Sequence, residues 1–279
     1  MIATHPTKRI PATGKPERKE SVTALSPSGI KSYLTCPAQF FYQKILRLEV
    51  PTSPNMFLGQ RIHSALAAYH RSVMRGESMK AEETQEFYLE DFRQREQAVD
   101  FSNEDARRKC LDKGKDLIHA YFDSELSRDE RGIVGVETHL EEEIIPDSPY
   151  LQGIADVVLS DNGELTVADV KTTASTPDPK TENWLNEVQL VAYALLLEKA
   201  LGKKVRKAEL WFLVKTKVPK VIRHRTPTID ETKRERFHSL FQTVVEGIER
   251  EDFAPRPSFS CRFCDVRERC EAWKGGLPS

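Results

Sequence analysis

The chain has 279 residues, enough for one sizeable hydrophobic core or a core with an attached lobe. Lys and Arg number 42 against 43 Asp and Glu, so an overall positive excess is excluded and any basic surface must be local. No apolar run approaches the roughly 18 to 20 residues of a membrane span, and the N-terminus has no apolar signal core, which makes the cytoplasm the expected compartment.

Residues 1–24 are polar, contain Pro6, Pro11 and Pro16 and carry five Lys/Arg against two Glu, a composition that predicts a disordered, mildly basic tail. The remainder, about 25–274, reads as a single domain. Ser26 is a candidate N-cap with Pro27 at the first helical position, followed by Ile30, Tyr33 and Leu34 at helical spacing. Cys36-Pro37 ends or kinks that helix. A second helix is expected from Gly59 to Arg75, and acid-rich helical patterns at about 81–98 and 104–126 complete an N-terminal helical lobe over about 59–130.

After Gly132 the pattern changes to alternation, in "IVGVETHLEEEII" and "YLQGIADVVLS", and Asp161-Asn162-Gly163 supplies a hairpin turn into "ELTVADVK". A helix from about Glu182 to Ala200, strands near 207–215 and 219–225, and a helix from Ile229 to Arg250 follow. The expected class is α/β, with a mixed central sheet flanked by helices over about 131–250 and a C-terminal segment rich in cysteine.

Asp169 and Lys171 alternate with Val170 on a strand, so the acid and the lysine project from one face. Alone, such a pair is a strand-end salt bridge. Asp156, however, lies in the preceding strand of the same hairpin, inside the apolar "GIADVVLS", where an acid requires a cation or donor partner. Two carboxylates on neighbouring strands offer hard oxygen ligands to Mg²⁺ or Mn²⁺, and the adjacent lysine could orient or deprotonate an attacking water. That is equipment for phosphodiester hydrolysis.

Asp156 followed by Asp169-Val170-Lys171 resembles the core of the PD-(D/E)XK nuclease superfamily, specifically its RecB-like exonuclease branch. "LGQRIHSALAAYH" is similar to that branch's Gly-x-x-x-His helix, with Gly59 as its glycine. "QLVAY" is similar to its Gln-x-x-x-Tyr element, and "LSPSGIKSYLTCPAQFFY" to its N-terminal cysteine segment. The resemblance covers most of residues 25–272. It implies that His63, Asp156, Asp169 and the Val170 carbonyl hold the metal, that Lys171 handles the water, and that Gln189 and Tyr193 contact substrate or the site. Glu137 matches an acid that often occurs in the family's preceding strand, although Glu141, Glu142 and Glu143 beside it suit a solvated face.

Of five cysteines, Cys261, Cys264 and Cys270 fall within ten residues, and Cys36 lies at the far end of the domain. This distribution suits a metal or cluster site better than a secreted disulfide framework. It resembles the four-cysteine iron-sulfur clasp of the AddB nuclease domain and of CRISPR-associated spacer-acquisition nucleases, which implies a 4Fe-4S cluster; zinc is the inorganic alternative. Cys110 has no cysteine neighbour and reads as a lone structural thiol.

Between Lys203 and Arg225 nine Lys/Arg stand against the single acid Glu209, with Trp211 and Phe212 among them. The stretch reads either as a solvated face or as a groove for a phosphate backbone, with aromatics available for stacking if exposed. The expected activity is a metal-dependent DNA exonuclease or end-processing nuclease in repair, recombination or replication, acting on single-stranded DNA or free ends. The alternative is a non-catalytic DNA-binding or scaffolding subunit. No Gly-x-x-x-x-Gly-Lys-Ser/Thr loop occurs, so a helicase or recombination partner would be a separate chain.

Overall fold

Ser26 caps α1 (Pro27–Thr35) through its Oγ, which accepts the Gly29 N–H at 3.1 Å, and Pro27 fills the first helical turn. The coordinates are a computed structural model describing residues 22–177, 184–226 and 228–272. Residues 1–21, nearly all of the predicted tail, lie outside the described residues, as does Glu182, the expected start of the sixth helix.

Cys36 is extended and ends α1; Pro37 then opens a short α2 (Pro37–Phe40) that passes into a π-helical turn, Phe41–Ile45. The next helix, α3 (Pro54–Met74), begins five residues before the expected Gly59, because Ser53-Pro54 repeats the Ser-Pro start: the Ser53 hydroxyl accepts the Met56 N–H at 3.2 Å. With α4 (Ala81–Arg95) and α5 (Glu104–Asp123) it forms the helical lobe, whose interior is aromatic: Phe57, Tyr88, Phe92 and Tyr121 are all buried.

Six strands form one mixed sheet: β1 (Ala24–Leu25), β2 (Gly132–Glu142), β3 (Tyr150–Asp161), β4 (Glu164–Thr173), β5 (Lys207–Val214) and β6 (Lys220–Arg225). The first long three are antiparallel, and Asn162 and Gly163, both with positive φ, make the two-residue turn that matches strand twist. β4 and β5 are parallel, joined across the sheet by α6 (Trp184–Leu201). β6 returns antiparallel to β5, and α7 (Glu231–Glu249) follows, capped by Asp230. The two-residue β1 escapes sequence reading because a strand that short has no periodicity.

β3 serves three neighbours. It pairs with β2 along Leu151–Ser160, with β4 along Val157–Asp161, and with β1 at Tyr150 and Leu151. On the edge away from β2, residues 152–156 therefore lie between two short ladders, without a strand partner among the described residues. Asp156 stands at the margin of that gap.

One face of the sheet packs on α6, which is apolar almost all round and is covered in turn by α1 and α7; the other packs on α3 and α5. Segments from the first and last parts of the described residues meet on the α1 side. Tyr33 Oη donates to the Asp252 carbonyl at 2.9 Å, Tyr42 Oη to the Arg269 carbonyl at 3.2 Å, and the Phe253 ring packs 4.8 Å from that of Phe41.

Candidate metal and active site

The β3–β4 ladder runs outward to the Val157–Ala168 rung, so the next residues, Asp156 and Asp169, arrive side by side at the edge of the gap. There Asp156 Oδ2 takes the Val170 N–H at 2.8 Å. Asp169 is buried between two side chains: Gln189 Nε2 donates to its Oδ1 at 2.9 Å, and Lys171 Nζ stands 2.6 Å from its Oδ2. Burial holds the Asp169 carboxyl above the ordinary range, with Lys171 pulling the other way and Asp156 reinforcing it. Gln189 also reaches Tyr193 Oη, one turn along α6, at 3.4 Å. Gly153 makes room for that tyrosine: a Cβ at 153 would lie 2.9 Å from Tyr193 Cε1. Burial keeps the Tyr193 phenol well above its ordinary pKa.

The other half of the site comes from α3. A Cβ on Gly59 would approach Thr172 Oγ1 to 3.0 Å, so glycine lets the helix settle onto the end of β4. One turn later His63 Nδ1 lies 3.4 Å from Asp156 Oδ2. Burial disfavours charge on His63, but the hydrogen bond it donates to Asp156 and the negative charge of that carboxylate prevail and raise the imidazole pKa. Burial likewise pushes Asp156 up, and His63, the Val170 N–H and Lys171 together outweigh it, leaving that carboxyl below its ordinary value.

Glu137 completes the cluster. β2 is irregular between Ile133 and Gly135, and Glu137 adopts φ of 48°, a left-handed conformation uncommon for a residue with a side chain. Burial first, then the neighbouring Asp156 charge, raises its pKa. One ligand atom from each of His63, Glu137 and Asp156 lies within 4.8 Å of the other two, the one such triad among the described residues. Backbone strain of this kind is stored where a side chain must be aimed. The sequence-derived metal set is thus distributed in two parts: His63 and Asp156 join Glu137, while Asp169 is held beside them by Lys171 and Gln189. Val170 gives its N–H to Asp156 and buries its side chain in the lobe interface.

A model of the PD-(D/E)XK nuclease superfamily matches residues 24–271. The chain belongs to that superfamily. Two curated relatives are both called Gene 69 protein: that of Mycobacterium phage D29 is 34% identical over 51% of this chain, and that of phage L5 is 23% identical over 89% of it. The alignment spans half the length of the D29 protein and 96% of the L5 protein. The crystal structure of a candidate exonuclease from Eubacterium rectale has the same fold, with a TM-score of 0.58 and 13% identity over 91% of each chain. PD-(D/E)XK nucleases use divalent metals, and one imidazole with two carboxylates suits an ion of that class.

In this PD-(D/E)XK chain Cys36, Cys261, Cys264 and Cys270 line one cavity of about 430 Å³, together with Pro255 and Val266. Burial raises the Cys264 and Cys270 thiols, and the other cysteines of the group add to it. No three of the four sulfurs lie within 4.8 Å of one another. Cys110 lies apart, its thiol raised by burial to about 11 and directed at the Pro54 carbonyl.

The basic stretch 203–225 does not form a stacking groove. Trp211 and Phe212 are both buried, because β5 is covered on both faces, and neither can reach a base. Four of its nine charges are ion-paired: Arg223 with Asp129 and Glu209, Arg225 with Glu209, Lys207 with Glu164, and Lys204 with Glu231. Glu209 is itself the hub of a buried network that includes Arg131 and the Trp211 indole N–H. Sequence alone could not reveal this, since Asp129 and Arg131 join from 78 or more positions away. Lys215 is different and faces the metal cleft.

Among the described residues no helix is long and apolar enough to cross a membrane.

Proposed function

We propose that this chain is a metal-dependent DNA nuclease of the RecB-like branch, an exonuclease or end-processing enzyme, with residues 25–274 forming one nuclease domain. The observation that carries the reading is the His63–Glu137–Asp156 triad lying against the Asp169–Lys171 pair. His63, Glu137 and Asp156 would hold the ion, with Asp169 and the Val170 carbonyl as adjoining donors. A divalent cation in that position supplies positive charge to the scissile phosphate and lowers the pKa of an attacking water.

The residues divide the remaining work. Lys171, half-exposed and tethered to Asp169, is the group available to orient the water and accept or return its proton. Gln189 fixes the Asp169 carboxylate, and Tyr193 fixes Gln189, so these two act as positioning residues. DNA, single-stranded or with free ends, is the proposed substrate, with a helicase or recombination protein as a separate partner.

The four cysteines are proposed to hold a 4Fe-4S cluster. Tetrahedral zinc with Zn–S of about 2.3 Å would bring all four sulfurs within about 3.8 Å of one another, whereas no three of them lie within 4.8 Å here. The role of the cluster would be structural, fastening α1 to the C-terminal segment.

The test is cleavage of end-labelled single- and double-stranded DNA with Mn²⁺ or Mg²⁺, by wild type and by Lys171→Ala. Wild type is expected to cleave, and the variant to bind DNA without cutting. Cleavage by the variant would remove Lys171 from the mechanism; DNA binding without cleavage by wild type would leave a scaffolding subunit.

A further inference from the structure

The triad opens into a cleft whose one wall is a single stripe of α3, at Asn55, Gly59, His63, Ala67 and Arg71. At about 1.5 Å per residue the stripe is roughly 24 Å long, with His63 midway, about 12 Å from either end. Each end carries a cation. Lys215, at the exit of β5, donates to Asn55 Oδ1 at 3.1 Å; Arg71 is exposed at the opposite end and lines the same cleft as Glu137.

Two other arginines line the cleft but are committed. Arg61 and Arg95 both bind Asp91, at 2.6 and 2.9 Å, and Arg61 lies over the Phe57 ring. Arg71 has no hydrogen bond or ion pair to a carboxylate among the described residues. The cleft thus presents two usable cations, one on each side of the metal triad, rather than a uniformly basic surface. A nuclease that accommodated one terminal nucleotide would have no use for a phosphate contact beyond the cut.

We infer that the cleft holds a nucleic-acid strand on both sides of the bond to be cut, with Arg71 and Lys215 as phosphate contacts on opposite flanks. The inference rests on the nuclease reading. A phosphate contact on each flank places nucleotides on both sides of the cut, so the released products are short oligonucleotides rather than mononucleotides.

The experiment measures binding of a fluorescein-labelled twelve-residue thymidine oligonucleotide over a salt series, in chelator so that no cleavage occurs. Each lost contact to a single strand is expected to lower the slope of log affinity against log salt by about 0.7, so Arg71→Ala and Lys215→Ala each lose that amount and the double variant about 1.4. Arg71→Lys and Lys215→Arg should retain the wild-type slope, which separates charge from misfolding, and Arg95→Ala should also retain it. An unchanged slope in either alanine variant overturns the two-sided contact. With Mn²⁺, a labelled mononucleotide as the first wild-type product also overturns it; absence of any cleavage with the slopes lowered instead refutes the nuclease reading and leaves the contacts standing.

Discussion

His70 lies two turns beyond His63 on α3 but is sealed inside, with Nε2 2.8 Å from Tyr121 Oη and its ring 5.8 Å from that of Trp211. Burial lowers its pKa to about 4, against a weaker opposing pull from Asp156. In the unfolded chain the imidazole binds a proton below about 6.5, whereas the folded protein refuses it until about pH 4. Stability must therefore fall as pH drops from 6.5 toward 4, because the unfolded state holds more protons there. The complete interval is worth roughly 3 kcal/mol, and about 2 kcal/mol has been lost at pH 5. His70→Gln retains an amide for the Tyr121 hydroxyl but does not titrate. Urea unfolding at pH 7.5 should find the variant less stable than wild type, and at pH 5.0 the difference should narrow by about 2 kcal/mol. A difference that stays the same at both pH values would mean that His70 is not buried neutral, and the account of the α3–sheet interface would fail with it.

Gln189→Ala leaves a buried carboxylate oxygen of Asp169 without its donor, and the variant should lose about 1.5 to 3 kcal/mol in chemical denaturation, together with most cleavage activity. Gly153→Ala drives a methyl group into Tyr193 and should cost about 1 to 3 kcal/mol; a smaller side chain in Tyr193→Leu should restore much of that stability without restoring activity. Protein purified without oxygen should be brown and contain about four irons per chain, and Cys264→Ser should be colourless with a lower melting temperature. A colourless wild type containing one zinc would reject the cluster.

The legible parts of the fold were those whose cause is local. Ser26-Pro27 announces a helix start, Asn162-Gly163 a hairpin, and Asp169-Val170-Lys171 a shared strand face, each within a few residues. The helical lobe, the antiparallel hairpin and the crossover to a parallel strand follow from periodicity and order. What was not legible depends on partners far along the chain. Glu137 matches the family's acid in sequence but could not be told from the solvated glutamates beside it; the structure brings it within reach of His63 and Asp156. Likewise, the charges of 203–225 look available for phosphates until Asp129, Glu164 and Glu231 are brought against them. The gap along β3 has no sequence signature at all, since it arises from where β1 stops and β4 begins.

The contacts between early and late segments of the chain bear on when the fold can become complete. Tyr33 is fastened to Asp252 and Tyr42 to Arg269, contacts 219 and 227 positions apart. During synthesis the triad and the Asp169–Lys171 pair can all be translated before residue 172, yet α1 and the turn after it gain their seats only once Asp252 and Arg269 have emerged. Contacts of such long sequence separation form late. A nascent chain would therefore carry the residues proposed to cut well before it carries the contacts that seat its first helix and the turn after it.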